Sequence, residues 1–385
     1  MFKVIVGHSN DLDSEDAIAE VLTQCTDQLG GEQPQASILL AAIDFDHTVI
    51  LSRIQDVFPG MALIGGTTDG ELSSVMGFQE DSMTLMMFCS DTVEIRAGLG
   101  RGLSKDATMA AQQSIDSLGL DEAALTDVKL CIAIPDGMEN GTEPALRRLQ
   151  QLLPAGVPIV GGRAGDQFQF ERTYEFFQGE VLQNGLPLLV FCGDLNISHG
   201  VESGWQPLSR KAVITKAEGP VVYEIDGQPA TEFYKEYLGT APISGEYPLA
   251  IFEGQSDRFY LRSSNHWDLD EGSILFMGEM PEQARVQITY ATCDHIVAAT
   301  KGSIEQALER YPGEQPAAAL FFSCAARRWL LGNRTQEEYE LGQQVIDDAI
   351  PMFGFYTYGE IGPLEMGGDT RYHQETLVTV LLGTE

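Results

Sequence analysis

A short glycine-bearing segment occurs three times, and this repetition constrains the fold more than any other feature of the chain. The copies are Ile64-Gly65-Gly66-Thr67-Thr68-Asp69-Gly70-Glu71, Val160-Gly161-Gly162-Arg163-Ala164-Gly165-Asp166 and Phe353-Gly354-Phe355-Tyr356-Thr357-Tyr358-Gly359-Glu360. Each follows a proline and an apolar run that reads as a short buried strand. The trailing glycines suit a tight exit, where the backbone takes a positive φ or closely approaches another chain segment. A carboxylate closes every copy: Glu71, Asp166 and Glu360. Three polar loops leaving three interior strands are expected to line one pocket.

The loops belong to a longer repeating order of strand, helix, strand, helix, glycine loop and return strand. Unit one spans residues 1–90. Its strands are Phe2–Gly7, Ile38–Ile43 and Met83–Cys89, and Ser14 is the expected cap of its first helix. Unit two spans 91–194, with strands Val93–Leu99, Leu130–Ile134 and Leu186–Cys192. Its helix is expected to begin at Ser104, and Pro144 sits in the first turn of the next. A clear last unit covers 285–385: strand Val286–Thr292, a short helix Ile304–Tyr311, strand Ala318–Ser323 and a final strand Thr376–Leu382. Thr335-Gln336-Glu337-Glu338 reads as a capping box. Between 195 and 284 the order blurs into strands Val221–Ile225, Leu249–Phe252, Phe259–Arg262 and Ile274–Met277, with one helix near Pro229–Leu238. This stretch is expected to be a degenerate unit. The fold class is then mixed α/β, with repeated β-α-β-α-β-β units forming two similar halves, each a mixed sheet flanked by helices. The domains are expected at 1–210 and 211–385, parted in the turn-rich Gly204–Gly219 stretch.

Charge narrows the partners. A net charge of −34, from 57 acidic and 23 basic residues, disfavours nucleic acid or an anionic membrane. The six cysteines form no CxxC pair, and Cys89, Cys131 and Cys192 lie inside apolar runs, as small hydrophobes do in a reducing compartment. The Met1–Gly7 start lacks a signal peptide's pattern, and no apolar window is long enough to span a bilayer, so a cytoplasmic location is expected.

Several segments resemble the signatures of FIST domains. They are Glu224-Ile225-Asp226-Gly227-Gln228-Pro229-Ala230, Phe322-Ser323-Cys324-Ala325-Ala326-Arg327-Arg328, Gly354–Pro363 and His373-Gln374-Glu375-Thr376-Leu377, with the Gly65–Glu71 loop matching the N-terminal half of the family. The resemblance covers nearly the whole chain, as a FIST N-type domain followed by a FIST C-type domain. It implies a bacterial small-molecule sensor of signal transduction that catalyses nothing and relays occupancy to a separate signalling protein such as a histidine kinase. One group of stand-alone members consists of nitric-oxide-sensing haemoproteins, so the implied ligand is either haem, sensing nitric oxide, or an amino-acid-like metabolite. The chain shares that group's length and organisation.

The candidate ligand-binding residues are Gly66, Thr67, Thr68, Glu71, Arg163, Cys324, Arg327, Arg328, Tyr356, Tyr358, Glu360 and His373. An arginine at a strand exit suits a ligand carboxylate or phosphate, and equally an internal pairing with Glu71, Asp166 or Glu360. Tyr356 and Tyr358 alternate and are expected on one side of an extended segment. If haem b is the cofactor, one axial histidine in an apolar pocket suffices; His373 is the first candidate and His266, beside Trp267, the second. No G-K-[ST] follows the glycine loops, so they are not phosphate-binding P-loops. The alternative is an enzyme using Cys324, its pKa depressed by the adjacent arginines, or the carboxylates Glu71 and Glu360.

Overall fold

The apolar runs are strands buried on both faces, which explains why they read as nearly continuous hydrophobic stretches. The computed structural model describes residues 2–239, 245–252, 254 and 256–384. In the first sheet the strands run in the order Phe2–Ser9, Met83–Ser90, Ala36–Ala41, Ala62–Thr67, Glu175–Phe177, Glu180–Leu182. The second runs Thr370–His373, Glu360–Pro363, Ile159–Gly162, Val128–Ala133, Gly185–Gly193, Val93–Arg101. The third runs Asn196–Glu202, Leu377–Gly383, Ala318–Cys324, Met352–Thr357, Glu71–Ser73, Gly77–Gln79. Each contains a parallel pair at its centre, Ala36–Ala41 with Ala62–Thr67 being the first, and is otherwise antiparallel. Helices cover the outer faces, as expected for mixed sheets.

A single core joins the three sheets. Their inner faces contribute Phe88, Phe191, Phe322 and Phe355 among others to one apolar cluster. The Phe88 and Phe191 rings meet edge-on at 5.2 Å across two of the sheets. Removing a side chain of this size from water contributes about 2–3 kcal/mol.

The strand order also reveals an exchange. After each glycine loop the chain leaves its own sheet and adds a hairpin to a neighbour. Glu71–Gln79 extends the third sheet, Glu175–Leu182 the first, and Glu360–His373 the second. The first glycine of each loop lies against the partner strand of the parallel pair. A Cβ on Gly65, Gly161 or Gly354 would meet the carbonyl oxygen of Leu39, Ala133 or Phe321 at 1.9, 2.0 and 2.2 Å. No side chain fits there, which is why glycine recurs at this point.

Residues 206–290 depart from the repeat. The expected strands Val221–Ile225, Leu249–Phe252 and Phe259–Arg262 are present, as is the helix, at Ala230–Leu238. They belong to a nine-stranded sheet whose pairings are all antiparallel, without the parallel pair of the other three.

Four helix starts differ from expectation. Asp13, not Ser14, accepts from Glu15 N and Asp16 N, and Asp106, not Ser104, accepts from Met109 N. A carboxylate satisfies the same amides and also complements the helix dipole. Thr335 makes no capping bond; its hydroxyl donates to Gly332 O. The expected short helix at 304–311 is Cys293–Arg310, begun by Thr292.

Candidate functional site

The three glycine loops meet. Asp69 N donates to Tyr356 O at 3.0 Å and Tyr356 N to Gly70 O at 2.9 Å, joining the first loop to the third. Gly165 N donates to Thr67 O at 2.8 Å, and Arg163 N to Gly359 O at 3.0 Å, so the second loop touches both others. Beside this junction opens a cleft of about 1120 Å³. Its walls come from 137–144, the second and third loops, one face of the helix Ala325–Leu331, the fourth sheet, and Tyr372, Gln374 and Glu375.

The predicted residues divide between the cleft and its support. Arg163, Cys324 and Tyr358 line the cleft. Gly66, Thr67, Thr68, Glu71, Arg327, Arg328, Tyr356, Glu360 and His373 do not; the first loop stands behind the other two.

Arg327 is fully buried and bonds Glu338 Oε1 at 2.5 Å. Burial alone would raise Glu338, but Arg327, Thr300 and Tyr356 hold it below the usual carboxylate range. Arg328 ties Asp69 Oδ2 at 2.7 Å and the exposed Glu80 at 2.6 Å. Burial nevertheless pushes Asp69 up to about 7, with Arg328 opposing. These arginines therefore make internal pairs, but with Glu338, Asp69 and Glu80 and not with the expected Glu71, Asp166 or Glu360.

The tyrosines part company. The strand ends at Thr357, so the alternation that would align Tyr356 and Tyr358 stops there. Tyr356 donates to Glu338 in the core, while Tyr358 donates to Asp166 Oδ1 at 2.5 Å at the cleft.

Glu71 and Glu360 are structural twins. Thr68 donates to Glu71 and Thr357 to Glu360; the return strands begin beside them, through the Ser82 hydroxyl and through Thr376 N at 3.0 Å. Burial pushes Glu71 up to about 8 and Glu360 well above its usual range, both opposed by these bonds. In the second unit the equivalent residue is Glu175, not Asp166. Glu175 opens the exchanged strand and accepts from Gly185 N at 2.9 Å, where the return strand starts. Asp166 instead accepts from Phe170 N, Glu171 N and Arg172 N and so shapes the inserted loop. The insertion between Asp166 and Glu175 hid this correspondence in the sequence.

Cys324 does not have the depressed pKa expected beside two arginines. Both guanidiniums point elsewhere, and burial, with Glu360 and Glu375 nearby, pushes the thiol well above its ordinary value. Neither histidine suits an axial haem ligand here. His373 Nε2 is bonded to Gly362 O at 2.8 Å inside the core, and His266 sits exposed on the fourth sheet; among the described residues no histidine lines the cleft.

Sequence reasoning missed the groups that equip the cleft. Glu375 is 2% exposed and lines it. Its Oε1 accepts from the Ser263 hydroxyl, while Oε2 has no hydrogen-bond partner. Burial pushes Glu375 up to about 7, opposed by Ser263 and Arg327. Its φ of 60° is unusual for a residue with a side chain and costs on the order of 1 kcal/mol. The Thr142 hydroxyl, also in the wall, is likewise buried without a partner. Arg163 donates to Asp136 O, Glu139 O and the Tyr372 hydroxyl, and has no ion-pair partner among the described residues. Phe168, Phe170, Tyr358 and Trp329 form an aromatic lip, with Trp329 66% exposed. The available signals were a glutamate in the short polar turn that precedes the apolar strand Leu377–Gly383, and a tryptophan directly after two arginines.

Among the described residues no helix is long and apolar enough to cross a membrane. Comparison with known proteins gives a consistent family. The FIST N domain matches residues 35–228 and the FIST C domain residues 230–363. An uncharacterized protein of Methanocaldococcus jannaschii is 27% identical over 226 residues, which span 54% of this chain but only 43% of that protein. An uncharacterized protein of Mycobacterium tuberculosis is 25% identical over 379 residues, 94% of this chain and 95% of that one. Among solved structures, a cyanuric acid hydrolase aligns along 100% of both chains at 6% identity with a TM-score of 0.39. Another, from A. caulinodans, covers 53% of this chain and 72% of that chain at 11% identity and a TM-score of 0.29.

Proposed function

The chain belongs to the FIST family, with a FIST N domain followed by a FIST C domain, and on that premise we propose that it senses a small molecule in the cleft and signals by binding, without turnover. FIST domains are associated with sensing in signal transduction. The observation that carries the reading is Glu375 Oε2, a buried acceptor without a partner in the wall of a large cleft. A buried acceptor left unpaired costs about 1–3 kcal/mol, which a ligand donor would recover. Of the two implied ligand classes, the geometry favours the amino-acid-like metabolite over haem. Its amino nitrogen would meet Glu375, and its carboxylate would meet Arg163.

Occupancy would be relayed through the joined loops. Trp329 at the cleft and Arg328 on Asp69 are adjacent on one short helix, so a ligand that moves this helix also loads the first loop. A signalling protein such as a histidine kinase would read that change. The effect requires different ligand affinities for two conformations.

A thermal-shift screen of amine-bearing metabolites, with wild type and Glu375→Gln side by side, tests the reading. A rise in melting temperature for one chemical class in wild type, lost in the variant, is the expected result. Ligands that stabilise both proteins equally would place binding elsewhere. A wild type that responds to no member of the screen would defeat the sensor reading.

A further inference from the structure

The cleft offers more than an anchor for an amine, and its remaining features narrow the ligand. Resting on the reading of the cleft as a ligand site, we propose that its ligand carries a cationic amino group on a flat apolar body, as aromatic amines and aromatic amino acids do. The nitrogen sits on Glu375 and the ring lies against Phe168, Phe170 and Trp329.

Three independent features point this way. The first is charge. Glu139, Glu143, Glu246, Glu279 and Glu375 line the cleft, and Arg163 is the only basic side chain that does so among the described residues. Glu143 is paired with the buried Arg262, and Glu279 with the exposed Arg147. The surplus acidity attracts a cation and repels an anion without one.

The second feature is the lip. Phe170, Trp329, Met138 and Met277 are 51%, 66%, 37% and 41% exposed, and all four line the same cleft. A cluster of exposed apolar groups around a cavity marks a binding surface. Phe168 and Trp329 have ring centroids 5.3 Å apart, and Phe170 stacks on Tyr358 at 5.0 Å with the planes 21° apart. Phe168 and Phe170 hold φ values of 59° and 51°, so the loop spends conformational energy to present its rings. Rings so arranged receive a flat apolar body and attract a cation attached to it.

The third is size. A volume of about 1120 Å³ is large even for a drug-sized ligand, and a small hydrophilic amine would leave most of the apolar wall wet.

Calorimetry on the full chain with tryptamine, indole-3-propionate and ethanolamine separates these contributions. Tryptamine is expected to bind saturably, and the other two at least tenfold more weakly. Trp329→Ala, at a position 66% exposed, and Glu375→Gln should each weaken tryptamine binding tenfold or more, with unchanged far-UV circular dichroism confirming that each variant is folded. Equal affinity for tryptamine and indole-3-propionate would overturn the cation, and equal affinity for tryptamine and ethanolamine would overturn the apolar body. Tryptamine that fails to bind at millimolar concentration, or binds Trp329→Ala unchanged, overturns the proposal outright. The sensor reading survives each of these results if the metabolite screen finds a ligand that depends on Glu375.

Discussion

Glu71 and Glu360 occupy the same place in two different sheets: each is fully buried, opens an exchanged strand, and accepts a hydrogen bond from a threonine three residues earlier. Glu175 completes the set, also buried and at the head of its strand. Each carboxyl marks the point where the chain leaves its sheet and bonds the start of the strand that returns to it. They are structural keystones of the exchange.

Because burial pushes Glu71 up to about 8, it is largely protonated at neutral pH, and Glu71→Gln preserves its size and most of its bonds. We expect Glu71→Gln to change stability by less than about 1 kcal/mol, and Glu71→Ala to cost about 2–4 kcal/mol by stranding the Thr68 and Ser82 hydroxyls in a cavity. Urea denaturation of both variants distinguishes the two costs, and equal losses would refute the protonated carboxyl.

Arg327 and Glu338 form the most enclosed ion pair among the described residues, with side chains 0% and 4% exposed. Removing one partner leaves a charge uncompensated in the interior. Arg327→Ala is expected to cost about 3–5 kcal/mol or to prevent folding. Replacing both with apolar residues of similar volume should recover much of that loss. A double variant no more stable than Arg327→Ala in chemical denaturation would show that the bonds of Arg327 to Ser203 O, Ile296 O and Thr300 matter more than charge.

Glu375 sets a pH dependence. Its folded pKa of about 7 lies above the ordinary 4.5, so between those values the folded state holds more protons than the unfolded one. Stability then falls as pH rises through that window. Asp69 and Glu71 titrate upward for the same reason, so the diagnostic quantity is the difference between wild type and Glu375→Gln. That difference should shift in favour of the variant from pH 5 to pH 7.5. Glu375 also raises the pKa of Cys324 and Glu360 and is itself lowered by Arg327, so the difference reports Glu375 together with the groups it acts on. A difference constant across this range, followed by thermal melting, would mean that Glu375 ionises freely.

Thiol chemistry offers a further check. A cysteine acts as a nucleophile through its thiolate, and burial keeps Cys324 protonated. Iodoacetamide at pH 7.5 should label the partly buried Cys293 first and leave Cys324 unmodified in the folded protein. Mass spectrometry that finds Cys324 labelled as fast as free cysteine would revive a catalytic thiol.

The first glycine of each loop admits no side chain. Gly65→Ala and Gly354→Ala should each cost more than about 2 kcal/mol, because the added carbon would press on a strand carbonyl that cannot move without breaking its ladder. Calorimetric melting tests this, and a loss below about 0.5 kcal/mol, the usual size of a surface effect, would show that the strands can part.

Local chemistry along the chain was enough to establish the strands, the three glycine exits and the family. A strand buried on both faces must be apolar throughout, and a backbone pressed against a carbonyl must be glycine. The loops' meeting was also foreseeable from their recurrence. Which residues face the cleft was decided by the packing of the whole chain. Arg327 and Tyr356 look like binding groups in the sequence, yet the fold turns both onto Glu338, a residue on a separate helix between them. Glu375 gives no sign that one oxygen lacks a partner, since that depends on Ser263 reaching only the other. Glu175 was hidden because equivalence lies in the exchange of hairpins between sheets, and such pairings join residues far apart along the chain. Periodicity reports which face of an element is buried. The contacts between distant elements report what each buried polar group has found there.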